Sequence, residues 1–189
     1  MQRNGLSPDY TFLEEVEAAG PFSVSECFQC RKCTNGCPAT FAMDLYPDQV
    51  IRLAILGLKD EVLSSRTIWV CASCETCSTR CPNGVRIAEL MDFFKEMAVV
   101  EGVAIPQPQV VSFHQTFLDN IRHTGRIFEG GLLGAYMLRS GQMGSMVKTG
   151  AWKDQLQLGW KMFRKGRLPL LPKSIEGKAE VAAILRSSK

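Results

Sequence analysis

The chain reads Pro47-Asp48-Gln49-Val50-Ile51-Arg52-Leu53-Ala54-Ile55-Leu56-Gly57-Leu58, and this stretch decides the fold. Val50, Ile51, Ala54, Ile55 and Leu58 recur at helical spacing and give the segment one apolar stripe. Pro47 suits a first helical position, Asp48 complements the positive end of the helix dipole, and Gly57 supplies a stop. A second short helical stretch, Asp60 to Ser64, leads through Ile68-Trp69-Val70 to Cys71. The spacing predicts helix where a strand would alternate.

The stretch is framed by two cysteine runs. Before it stands Cys27-Phe28-Gln29-Cys30-Arg31-Lys32-Cys33-Thr34-Asn35-Gly36-Cys37-Pro38, and after it Cys71-Ala72-Ser73-Cys74-Glu75-Thr76-Cys77-Ser78-Thr79-Arg80-Cys81-Pro82. Both have the form C-x2-C-x2-C-x3-C-P, and together they use all 8 cysteines. Three cysteines at i, i+3 and i+6 in a tight loop wrap three irons of a cubane cluster, while the fourth, beside a proline, points away from the loop. This is the run of bacterial two-cluster ferredoxins, in which the fourth cysteine ligates the other cluster. That rule assigns Cys27, Cys30, Cys33 and Cys81 to one [4Fe–4S] cluster and Cys71, Cys74, Cys77 and Cys37 to a second. Small bacterial ferredoxins place strands between their runs, whereas a helical linker implies an all-α, alpha-helical ferredoxin-like domain.

Structural zinc also accepts four cysteines, but zinc sites usually pair two C-x2-C knuckles and need neither a third cysteine nor C-P. Disulfides are disfavoured because only scattered apolar residues precede Pro8, so no signal peptide and no oxidising compartment are expected.

With 189 residues, 46% hydrophobic and 22% charged, the chain has the composition of a soluble globular protein. Its length suits a cluster domain plus an appended module. No apolar run approaches the roughly 18 residues of a membrane span, so a cytoplasmic protein is expected, with any membrane association coming through a partner. The net charge of +3 hides an asymmetry: 9 Lys/Arg stand against 13 Asp/Glu up to Val100, and 13 against 6 from Glu101 onward. No nucleic-acid motif accompanies the basic half, which is read as a solvated face or as steering toward an acidic partner.

An entry helix carrying Phe12, Leu13, Val16 and Ala19 is expected to stop at Gly20-Pro21. After the second run, Ile87, Leu90, Met91, Phe94, Met97 and Ala98 mark a helix from Arg86 to Val100 whose stripe belongs to a core. Pro106 and Pro108 interrupt the pattern, and Gln109 to His123 forms a further helix ending near Gly125. From Gly130 the chain is rich in glycine and interspersed with Met137, Met143, Met146, Trp152, Trp160 and Met162. Such a region buries little by itself and suits partner docking. Leu168-Pro169-Leu170-Leu171-Pro172 reads as extended, and Ser174 as the cap of a last helix to about Arg186. The expected organisation is a two-cluster domain with its entry helix over residues 1–125 and a Gly/Met-rich basic extension over 126–189.

His114 and His123 are the only histidines and are read as ordinary helix residues rather than ligands. No Ser/His/Asp set, no spare thiol and no nucleotide-binding glycine loop occurs. This chain alone therefore offers no substrate site, and no catalytic residue is assigned.

The paired runs, the helical linker with Pro47 and Gly57, the exit Cys81-Pro82-Asn83-Gly84-Val85 and the late Leu168-Pro169-Leu170-Leu171-Pro172 together resemble the C-type component of soluble heterodisulfide reductases. The cysteine runs alone are shared with other helical ferredoxin domains, including those of succinate dehydrogenase and fumarate reductase; the stand-alone length and the tail narrow the resemblance. It implies a member of an oxidoreductase complex, not catalytic by itself, in anaerobic metabolism such as methanogenesis. Electrons would pass through its two [4Fe–4S] clusters from an A-type flavoprotein, often electron-bifurcating, to a disulfide-reducing B-type protein with CCG motifs, in a hetero-oligomeric and dimerised complex. Service to another flavoprotein dehydrogenase, of the succinate, fumarate or glycolate type, is the alternative. Arg31, Lys32 and Arg80, inside or beside the loops, are expected to raise the adjacent cluster potentials.

Overall fold

In a computed structural model the structure describes residues 7–141, 144, 148–150, 152–167, 172 and 175–187. The described residues are helical, turn or irregular, with no strand among them, so the all-α expectation holds. The chain divides into two compact units, Met1–Gln107 and Pro108–Lys189.

The first unit contains α1 (Phe12–Ala19), α2 (Lys32–Gly36), α3 (Pro47–Ile55), α4 (Lys59–Leu63), α5 (Arg66–Val70), α6 (Thr76–Arg80) and α7 (Ile87–Val100), with short 3₁₀ turns at Val24–Glu26 and Thr40–Ala42. The predicted stripes face inward. Phe12 and Val16 of α1, Val50, Ile51 and Ala54 of α3, and Ile87, Leu90, Met91, Phe94 and Ala98 of α7 are all buried. The Phe12 and Phe94 rings lie 5.8 Å apart, and Phe22 and Phe93 lie 5.5 Å apart. These separations are in the range of favourable aromatic pairs.

Helix α3 begins as its sequence dictates. Pro47 takes a first-turn position, and the Gln49 side chain reaches back to accept from the Tyr46 N–H at 2.8 Å. Its end depends on Gly57, whose φ of +72° lies in the left-handed region and whose carbonyl accepts from the Asp9 N–H at 2.7 Å. A Cβ there would stand 2.3 Å from the Asp9 carbonyl oxygen. Only glycine permits both the backbone conformation and the close approach. Lys59, just beyond, bonds Glu15 of α1 at 3.0 Å and Glu101 at the end of α7 at 2.6 Å.

Helix α5 is capped from a distance. Asp44 accepts from the N–H groups of Arg66 at 2.7 Å and Thr67 at 2.9 Å, and from the Thr67 hydroxyl at 2.8 Å. Burial alone would raise the Asp44 carboxyl; these hydrogen bonds outweigh it and hold the group below its ordinary value.

The second unit contains α8 (Pro108–Thr124), α9 (Glu129–Arg139), α10 (Trp152–Arg164) and α11 (Lys178–Ser187), with α8 packed on α9 and α11. Phe113 meets Tyr136 edge-on at 5.6 Å. Asp119 pairs with Arg122 at 3.1 Å and Arg139 at 2.7 Å, and Asn120 accepts from the Phe128 N–H at 2.7 Å. Thr116 is the sole buried residue of this unit among those described. Trp152, Leu156, Leu158 and Trp160 are exposed. The readings made for Met143, Met146, Leu168 to Leu171 and Ser174 lie outside the described residues.

Gly57→Ala adds both left-handed strain and a backbone clash. The expected loss of folding stability is at least about 2 kcal/mol, measured as a lowered denaturant midpoint for the intact chain.

Candidate functional site

The two cysteine loops share one backbone. In the first, Gln29 and Arg31 have φ of +56° and +63°; in the second, Ser73 and Glu75 have +48° and +60°. The residues on either side of the middle cysteine are thus left-handed in both loops, and none is glycine. Such conformations cost on the order of 1–3 kcal/mol each and persist where surrounding structure over-determines them. Helices α2 and α6 start directly after Arg31 and Glu75, carry Cys33 and Cys77 at their second positions, and end at Cys37 and Cys81.

Helices α2 and α6 pack against each other. Gly36, the last residue of α2, faces the Arg80 side chain of α6: a Cβ at Gly36 would meet Arg80 Cδ at 2.8 Å. Gly36 and Arg80 occupy matching places in their runs, so a side chain at one requires its absence at the other.

This packing surrounds two recesses. The first is lined by Cys27, Cys30, Cys33 and Cys81, with Arg31, Lys32 and Asp48 among its neighbours. The second is lined by Cys37, Cys71, Cys74 and Cys77, with Thr76 and Met91. Each recess takes three cysteines from one run and one from the other. Four thiolates around one recess is the ligand set of a cubane cluster. All eight cysteines are free of disulfides. Among the described residues no three His, Cys, Asp or Glu side chains come together closely enough for a single metal ion. In each loop the middle cysteine, Cys30 or Cys74, is the exposed one.

Residues distant in sequence hold the loops. Asp48 at the start of α3 is buried, accepts from the Thr34 hydroxyl of α2 and pairs with Arg31 Nε at 3.4 Å. In the second loop the Ser73 hydroxyl donates to Asp92 of α7 at 2.8 Å, and Lys95 Nζ donates to the Cys71 carbonyl at 3.1 Å. The Asn83 side chain donates to the Glu26 carbonyl, and the Ala88 N–H to the Ser78 hydroxyl at 3.1 Å. The sequence reading singled out none of Asp92, Lys95, Asn83 or Thr34 as a support. Its available signal was the polar positions Asp92 and Lys95 interrupting an otherwise apolar helix.

Hydrogen bonds also reach sulfur. The Gln29 backbone N–H and its Nε2 each donate to Cys27 Sγ at 3.5 Å, and the Cys74 thiol donates to the Thr76 hydroxyl at 3.5 Å. Burial pushes the thiols of Cys33 and Cys71 up, and that of Cys77 up to about 11. At exposed Cys74 the Thr76 hydrogen bonds hold the thiol below its ordinary value. Of the histidines, His123 lies beside a cleft of the second unit with Thr116, Asp119, Asn120 and Arg139, and His114 lies beside Phe113.

Comparison with known proteins places this site in a family. Residues 23–85, from just before the first run to just past the second, match the 4Fe–4S dicluster domain. The chain is 38% identical over 103 residues to the C-type component of the H(2):CoB-CoM heterodisulfide,ferredoxin reductase of Methanothermobacter marburgensis, covering 54% of this chain and 56% of that one. It is 32% identical over 127 residues to a C-type iron-sulfur component of the CoB–CoM heterodisulfide reductase of Methanocaldococcus jannaschii, covering 62% of this chain and 68% of the relative. The chain belongs to the heterodisulfide reductase C-type family. The family resemblance is therefore correct, and this C-type chain is an iron–sulfur protein. A relative from Methanosarcina mazei, the C-type component of a ferredoxin:CoB-CoM heterodisulfide reductase, is 34% identical over 100 residues, 53% of this chain and 61% of that one. The chain spans about half the length of the first of these relatives. No helix among the described residues of this C-type chain is long and apolar enough to cross a membrane.

The raised thiols fix a pH dependence for the cluster-free protein. The folded Cys77 value of about 11 lies above the ordinary 9.0, so folding favours the protonated thiol. That contribution is complete below pH 9 and is lost as pH rises toward 11. The expected result is a thermal midpoint of the cluster-free chain that falls between pH 9 and 11, and falls less in Cys77→Ala.

Proposed function

We propose that this chain carries two [4Fe–4S] clusters and relays single electrons within a heterodisulfide reductase complex. Cys27, Cys30, Cys33 and Cys81 hold one cluster, and Cys71, Cys74, Cys77 and Cys37 the other. The observation that carries this reading is the pair of recesses, each lined by four cysteines with one drawn from the opposite run. The shared lining supports two groups held close together on one rigid frame, which is what one-electron relay needs. The clusters supply reversible one-electron storage, and the protein supplies placement, burial and hydrogen bonds to sulfur.

The complex proposed is the one the relatives' names describe, with CoB–CoM heterodisulfide or a related disulfide as the terminal acceptor. An A-type flavoprotein, bifurcating in some complexes, delivers the electrons, and a B-type protein with CCG motifs reduces the disulfide. The chain itself has no substrate site in this scheme and works in the cytoplasm. The second unit is the face for these partners. Its thin interior supports that role: Thr116 alone is buried among its described residues, while the large apolar side chains of α10 are exposed.

Anaerobic native purification tests the proposal. The expected preparation contains about eight irons and eight sulfides per chain, following from two cubanes, and brings down a flavoprotein and a CCG-motif protein. Cys30→Ala should lower the iron content toward half while the other cluster's spectrum persists. Recovery with a succinate-, fumarate- or glycolate-type dehydrogenase would overturn the heterodisulfide assignment.

A further inference from the structure

The two recesses match in backbone, but not in charge. The left-handed pair is common to both loops. In each loop the backbone N–H two residues on bears on the first cysteine, Gln29 on Cys27 and Ser73 on Cys71, whereas Gln29 Nε2 at Cys27 and Thr76 at Cys74 occupy non-equivalent places. The matching hydroxyls Thr34 and Ser78 each bear on the cysteine that precedes them. What differs is the side chain after the middle cysteine, which is Arg31 in the first loop and Glu75 in the second.

The neighbouring positions extend the difference. Lys32 of the first loop is matched by neutral Thr76. Beside the remaining cysteines stand Glu26, before Cys27 of the first recess, and Arg80, before Cys81 but lying against Gly36, the residue before Cys37 of the second, so that its charge is shared between the two. Val70 and Gly36, in the corresponding places of the second recess, are neutral. Packed against the first loop is Asp48, which pairs with Arg31 at 3.4 Å. Packed against the second are Asp92 and Lys95, which pair with each other at 2.7 Å. With the shared Arg80 left out of both sums, Arg31, Lys32, Glu26 and Asp48 cancel at the first recess, while Glu75, Asp92 and Lys95 leave the second one net negative charge.

Reduction adds negative charge to a cluster, so a nearby cation stabilises the reduced form and a nearby anion destabilises it. We propose that the Cys27/Cys30/Cys33/Cys81 site has the higher reduction potential, so that electrons enter at the exposed Cys74 side and leave at the exposed Cys30 side. In each transfer the Cys74-side cluster is oxidised by one electron and the Cys30-side cluster reduced by one, with no bond or proton exchanged. Arg31, Lys32 and Glu75 are tuning residues, acting through the field at the cluster. The proposal rests on the two-cluster reading above and adds its polarity.

The test is a redox titration of the full chain, purified anaerobically with its clusters and followed by electron paramagnetic resonance. Two reduction waves are expected. Lys32→Gln should lower the upper wave and leave the lower in place, whereas Glu75→Gln should raise the lower and leave the upper. Lys32 is preferred to Arg31 because its removal breaks no ion pair with Asp48. A single wave, movement of the upper wave by Glu75→Gln, movement of the lower by Lys32→Gln, or no movement in either variant overturns the polarity. Iron content separates the two ideas. A chain with eight irons and reversed responses refutes the polarity alone, and a chain that holds only one cluster refutes the two-cluster reading and the polarity with it.

Discussion

The contact between α2 and α6 is the constraint on which the first unit depends. Each recess draws its fourth cysteine from the opposite run, so neither recess is complete unless the two loops are held at one separation and one angle. Gly36 lets the Arg80 side chain lie across the end of α2. The local sequence of each run forms the loop and the short helix after it. Bringing the two together is the work of α1, α3 and α7, whose buried stripes make the core beneath.

Four left-handed, non-glycine residues surround the middle cysteines. Glycine would relieve that strain, and the chain uses glycine freely elsewhere, as at Gly57. At these positions it keeps side chains with tasks: Gln29 reaches Cys27 sulfur, Ser73 is tied to Asp92, and Arg31 is tied to Asp48. The bonds to Asp48 and Asp92 come from helices of the core, which explains how a conformation unfavourable by itself is held. Rigid sulfur positions follow, and they limit rearrangement around the site when its charge changes.

Much of this was legible in the sequence, and the residues show why. The stripes of α1, α3 and α7 are periodic signals that read directly as helix and core, and the repeated cysteine spacing needs no fold to be noticed. The short helices α5 and α6 were harder. Arg66–Val70 has too few residues to show a period, and its cap, Asp44, lies 22 residues upstream of Arg66. Asp92 and Lys95 fall outside the apolar stripe of their helix, and their roles show only once the fold brings Ser73 and Cys71 to them. Hydrogen bonds between segments far apart leave no local pattern, so the supports of the site were invisible while its sulfurs were plain.

The two units follow different physical rules. The first has a continuous apolar core with Phe12, Phe94 and Ile51 fully enclosed, as expected of a unit that must fix a geometry. The second is held by edge contacts and surface pairs such as Asp119 with Arg122 and Arg139, and exposed ion pairs contribute little individually. Its described residues do not include an enclosed apolar cluster of their own. An arrangement of this kind gains stability when another surface covers its exposed Trp, Leu and Phe side chains, because apolar area removed from water is the main favourable contribution available to it. The enclosed core thus lies with the cysteine loops in the first unit, and the exposed apolar side chains lie in the second.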